Sequence, residues 1–184
     1  MSPGEIMHLE WRANLELEGV GIEVQVDRID RLEDGRVVLL DYKTGATLST
    51  SGWGSERLSA VQLPLYATLL QAVPDLQAAG IGLARVGVHE ADIRGLGDEP
   101  AESSYLLSGP AGRSRALARQ LGSWGGALDH WESGLSGLLA EFLAGDASHL
   151  IHNEKGLKYL GLEGLMRSGE ALRWIEERGG ESND

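Results

Sequence analysis

The chain has 184 residues, 42% apolar and 24% charged, which suits one globular domain with a small helical appendage and excludes a mainly disordered protein. It contains no cysteine, so disulfides, thiolate zinc sites, iron–sulfur clusters and thiol nucleophiles are excluded. Lys+Arg 16 against Asp+Glu 28 gives a net charge of −12. That sign argues against a nucleic-acid binder working alone, but suits carboxylates gathered around divalent cations or a fragment whose parent supplies the basic surface.

No apolar run approaches the roughly 18 residues that a membrane span requires. The N-terminus MSPGEIMHLEWR lacks a signal-peptide pattern, so the expected location is the cytoplasm and no membrane partner is expected.

Residues 9–19 and 21–32 predict two strands. In the second, Ile22, Val24 and Val26 alternate with Glu23, Gln25 and Asp27, the period of a strand with two unlike faces. After Glu33-Asp34-Gly35, the run VVLLDYKTG fits a central strand buried on both sides. Leu58, Val61, Leu65, Leu69 and Ala72 have helical spacing, with regular helix expected to begin within a turn of Pro64. Further strands are expected at 80–90 and 104–108. A long helix at 113–145 is interrupted around 122–126, and a last helix spans 161–178. The expected fold is α/β, a mixed central sheet flanked by helices with a helical C-terminal extension. Its parts are a core at 1–112, a helical part at 113–178 packed on it, and a disordered tail at 179–184.

The informative stretch is the hairpin from Asp27 to Lys43. A three-residue loop Glu33-Asp34-Gly35 puts glycine at its last position, where a left-handed residue is wanted. Leu32 then faces Arg36, and Asp27 faces Asp41 on one side of the sheet. A two-residue loop would send the two acids to opposite sides. Facing carboxylates repel, and a shared hard cation such as Mg²⁺ relieves that repulsion. Lys43, two residues beyond Asp41, lands on the same face as a point charge able to hold or polarise water. The alternative is a weak, exposed Asp41–Lys43 pair at a strand end. Spacing alone leaves both open.

Val26-Asp27-Arg28-Ile29-Asp30, then Leu40-Asp41-Tyr42-Lys43-Thr44-Gly45, then Gln62-Leu63-Pro64-Leu65-Tyr66-Ala67 resemble, in order and spacing, the RecB/AddB branch of the PD-(D/E)XK nuclease superfamily. The Q-x-x-x-Y helix is particular to that branch, and the diagnostic resemblance covers about residues 10–75. It implies a restriction-endonuclease-like core that binds Mg²⁺ or Mn²⁺ and hydrolyses DNA, single-stranded or at duplex ends. Asp27, Asp41 and the carbonyl of Tyr42 would be metal ligands, and Lys43 would activate the attacking water. Gln62 and Tyr66, one helical turn apart, would brace the site or touch DNA. The implied setting is recombinational DNA repair beside a helicase partner or further domains of the parent chain.

Two departures stand out. The branch usually carries a metal-ligating histidine on a helix before the first strands. Only nine residues precede the first predicted strand here, so the chain is expected to be the C-terminal portion of a longer polypeptide, with His8 disordered or structural. At 156–167 the sequence resembles the segment that carries cluster cysteines in many AddB-like proteins, with Leu157, Leu160 and Met166 in their places. An apolar staple without an iron–sulfur cluster is expected there.

Two rivals remain open: a catalytically inactive, nuclease-like module that binds DNA ends or scaffolds a complex, and a structure-selective endonuclease acting on branched DNA. Other signals are weaker. Trp53, in a Gly/Ser-rich loop, has either a base-stacking or a core-capping role. Arg113, Arg115 and Arg119 form a basic cluster, and His149, His152 and Glu154 a weak metal-like triplet. No phosphate-binding loop, dinucleotide fingerprint or serine nucleophile elbow is present.

Overall fold

The Asp34-Gly35 turn fixes the centre of the molecule. Gly35 has φ +87°, a conformation that costs an L-residue roughly 1–2 kcal/mol. Leu32 and Arg36 close the loop through the Leu32 N–H and the Arg36 carbonyl at 2.8 Å. The computed structural model, which describes residues 4–45, 47–86, 91–101 and 114–145, shows the three-residue loop and the register that follows from it. β2 (Val20–Arg31) and β3 (Val37–Tyr42) pair Arg31 with Val37, Ile29 with Leu39 and Arg28 with Leu40.

Around this hairpin lies a mixed sheet of five strands in the order β1-β2-β3-β4-β5. β1 (Glu5–Leu17) pairs antiparallel with β2. β4 (Ala78–Val86) runs parallel to β3, and β5 (Ala91–Gly97) antiparallel to β4. A parallel neighbour needs a crossover, which here contains a 3₁₀ turn (Ser51–Trp53) and α1 (Gln62–Leu70). Pro64 sits in the first turn of α1, where its missing N–H costs no helical hydrogen bond.

β3 alternates its side chains between two cores. Val37 and Leu39 join Ile81, Leu83, Leu63, Ala67 and Leu70 on the α1 side. Val38 and Leu40 pack with Leu32, Ala79 and Ala101 on the other, where the short α2 (Glu99–Ala101) closes the layer. The central strand is therefore covered on both faces, as its unbroken apolar run predicts.

The long C-terminal helix is broken as expected, into α3 (Ser114–Leu121) and α4 (Trp124–Leu143). Gly122, at φ +80°, ends the first. Ser123 caps the second, its Oγ accepting the Gly126 N–H at 3.0 Å, a cap worth about 1 kcal/mol. Both helices join the α1-side core through Leu117, Trp124, Ala127, Trp131 and Leu135, all within a compact unit, Met1–Ala144.

Several expectations change. β1 begins at Glu5 rather than near residue 9, and β5 was not anticipated at all. Of the two roles open to Trp53, core capping holds: it is 1% exposed and does not stack on a base. Its carbonyl accepts the indole N–H of Trp131 at 2.8 Å, and Trp131 meets Trp124 edge-to-face at 5.5 Å. His8 lies in β1 beside Trp11, ring centres 6.4 Å apart. The expectations for 104–108, 149–154, 156–167, 161–178 and the tail, for Arg113 and for the side chain of Arg115, lie outside the described residues.

Candidate active site

The register that pairs Arg28 with Leu40 sets Asp27 opposite Asp41 by count, but the ladder itself stops at Arg28. Beyond that point the Asp27 carboxylate takes over from the backbone: its Oδ2 accepts the N–H of Tyr42 at 2.8 Å. On the far side of β3, the Lys43 N–H bonds the Ala84 carbonyl at 2.9 Å. The end of β3 is thus held from both neighbours, which fixes where Asp41 and Lys43 leave the backbone.

Asp41 follows Val37 and Leu39 by period two, so it projects on the face that α1 covers. It is 4% exposed. Its Oδ2 is buried and makes no hydrogen bond, although the Lys43 Nζ lies 2.6 Å away as an ion-pair partner. The contact has the distance of a salt bridge without hydrogen-bond alignment, so the oxygen has a counter-charge and an unused lone pair.

Gln62 and Tyr66 fall in the first half of α1, Gln62 exposed and Tyr66 half-buried against the core. Among the described residues, neither hydrogen-bonds to the two acids. The structure joins Asp41 to Lys43 and Asp27 to Tyr42, and puts Gln62 and Tyr66 on the helix that packs over the same face.

On the opposite face is a grouping that sequence reasoning quoted but gave no role. Asp30 is fully buried, and Arg28 grips it through Nε and Nη2, each at 2.6 Å. The Arg28 Nη1 also donates to the Tyr42 hydroxyl at 3.4 Å. The Asp30 carboxylate raises the Arg28 guanidinium further above its already high range, outweighing burial. Two charged residues alternating with apolar ones in a buried strand were the available signal.

A divalent cation can be tested against this donor set. Among the described residues, no group of three or more His, Asp or Glu is gathered to hold a metal, so Asp27 and Asp41 are the carboxylates on offer. Mg²⁺ and similar hard cations bind through one or two carboxylates and keep several waters. The unsatisfied Asp41 Oδ2 is an oxygen such an ion would satisfy. The residues present fit it.

A family model for the PD-(D/E)XK nuclease superfamily matches residues 2–155. The chain belongs to the PD-(D/E)XK nuclease superfamily. The chain has no match among curated proteins. Among solved structures, one titled "Crystal structure of SSO0001" is similar at 16% identity over 49% of this chain, with a TM-score of 0.29. The match spans 41% of that chain, and this likeness carries no argument about the site. Among the described residues, no helix is long and apolar enough to cross a membrane.

Proposed function

We propose that this domain hydrolyses phosphodiester bonds in DNA with Mg²⁺ or Mn²⁺ held by Asp27 and Asp41. The observation that carries the reading is the buried Asp41 Oδ2, which has an ammonium beside it and no hydrogen bond. Tyr42 contributes its carbonyl: the N–H and C=O of a strand residue point to the same side, and the Tyr42 N–H points to Asp27. A divalent cation at this pair would offset charge developing on the phosphoryl oxygens and ease deprotonation of a nearby water. Lys43, 44% exposed along its side chain, lies against Asp41 as its counter-charge and has two further N–H donors to orient water or a phosphoryl oxygen. Tyr66 braces α1 against the core, and Gln62, exposed at the helix start, is placed to meet the DNA.

The Gln62/Tyr66 pair supports the RecB/AddB-type assignment within the superfamily. With it goes a cytoplasmic role in recombinational repair, alongside a helicase partner or further domains of a longer parent. The proposed division is a nuclease core at 1–112 followed by a C-terminal part at 113–178. A second reading, a nuclease-like module that binds DNA ends without cleaving, is favoured by one observation: among the described residues no group of three or more His, Asp or Glu is gathered to hold a metal.

Mn²⁺-dependent cleavage of end-labelled linear and circular single-stranded DNA separates the readings. Cleavage that disappears in Lys43→Ala supports the nuclease, and the circular substrate tells endonuclease from exonuclease. DNA binding without cleavage supports the module.

A further inference from the structure

The sheet register carries the active-site row beyond Asp41. Asp41 pairs with Leu83 and Leu83 with Arg94, so Arg94 stands on the same face two strand spacings away, about 9–10 Å at the backbone. An open cleft of about 360 Å³ adjoins it, lined by Ser49, Thr50, Ser51, Arg94, Leu117 and Gln120. The hydroxyl-bearing segment is the chain leaving Asp41 and Lys43, tied back to β5 where the Arg94 Nη1 donates to the Leu48 carbonyl at 3.3 Å.

Arg94 is held but not saturated. Its Nε donates to Asp92 at 3.3 Å, and its side chain is 22% exposed. Its Nη2 makes no hydrogen bond among the described residues. Ser49 and Ser51 share one hydrogen bond at 2.9 Å, which leaves one of the two hydroxyl protons unassigned. A guanidinium nitrogen beside hydroxyl donors in an open cleft is the chemistry that seats a phosphodiester. Asp92 lowers the net positive charge there, so the seat is selective in position rather than strongly basic.

The geometry points to Arg94 with the Ser49–Ser51 hydroxyls as a second phosphate seat, holding a backbone phosphate of the DNA strand away from the one at Asp41. It rests on the nuclease reading and adds a second point on the path of the strand, at the cleft between β5 and the segment that leaves Lys43.

The test measures anisotropy of a fluorescein-labelled oligothymidylate with the full chain, in EDTA to prevent cleavage, over a series of salt concentrations. Arg94→Gln weakens binding about tenfold at low salt and makes the plot of log K against log salt shallower by about 0.7, one phosphate contact on a single strand. Ser49→Asp, an exposed change that puts a carboxylate in the seat without disturbing the core, weakens binding in the same direction. Arg36→Gln removes the same charge at the other end of β3, where Arg36 is paired with Asp34 and Asp98, and leaves the slope unchanged. Binding by wild type that neither Arg94→Gln nor Ser49→Asp alters overturns the seat and spares the nuclease reading. No binding by wild type at any salt, in EDTA or with Ca²⁺ in its place, overturns both.

Discussion

Lys43 Nζ and Asp41 Oδ2 are 2.6 Å apart, yet the oxygen is buried without a hydrogen bond. Asp41→Asn removes a poorly satisfied buried charge, and in EDTA it is expected to leave stability unchanged or raise it by about 1 kcal/mol. Lys43→Ala leaves that charge unpaired and costs about 1 kcal/mol, limited by the exposure of the lysine. Urea denaturation of the two variants should move in opposite directions. Two losses of equal size would show that Asp41 is satisfied in a way the structure does not display.

The other buried carboxylate behaves differently. Asp30 is gripped in a two-pronged contact by Arg28, so Arg28→Ala leaves a buried carboxylate without its fork and costs about 3 kcal/mol. The double substitution Arg28→Met with Asp30→Leu recovers most of this, because an apolar pair avoids desolvating charge. Chemical denaturation of the single and double variants checks the order.

Acid should loosen the β2–β3 turn. The Arg36 guanidinium lowers the Asp34 carboxyl below the ordinary range, and lowers Asp98 with help from the Glu99 N–H. A carboxyl lowered in the folded state gives stability that is present above its unfolded value, about 3.9, and is lost as pH falls through the folded one. Both side chains are more than a third exposed, so the contribution is small and salt-sensitive. Arg36→Ala should therefore flatten the pH dependence of the melting temperature below about pH 4, with little change near neutrality.

Trp53 is expected to matter for folding rather than DNA contact. Trp53→Ala opens a cavity worth about 3–5 kcal/mol, and Trp131→Phe leaves the Trp53 carbonyl without its indole donor, at about 1–3 kcal/mol. Neither change should alter the salt slope of DNA binding in protein that remains folded.

The sequence made the site region legible because local chemistry and tertiary demand agree there. Gly35 selects the loop, the loop selects the register, and the register, continued by count past its last pair at Arg28, sets Asp27 opposite Asp41. The break at Gly122-Ser123 was equally readable, since a left-handed glycine and a side-chain cap act locally. β5 was hidden because Asp92 and Arg94 share their face with Leu96, which leaves no clean alternation of apolar and polar residues, and its pairing with β4 is a long-range choice. Trp53 was open to a stacking or a core-capping role because the helix that buries it, carrying Trp131, arrives much later in the chain. The end of the β2–β3 ladder at Arg28 was also unreadable, since it depends on the Asp27 carboxylate accepting a backbone N–H that a regular ladder would have paired.

The most direct measurement is calorimetric titration of Mn²⁺ into the full chain and into Asp41→Asn, with Asp27→Asn as a second variant and a melting curve to show that each is folded. Saturable binding by the wild type that is lost in both folded variants is the predicted result. Binding of equal strength in all three, or none in the wild type, would contradict a metal centre at Asp27 and Asp41.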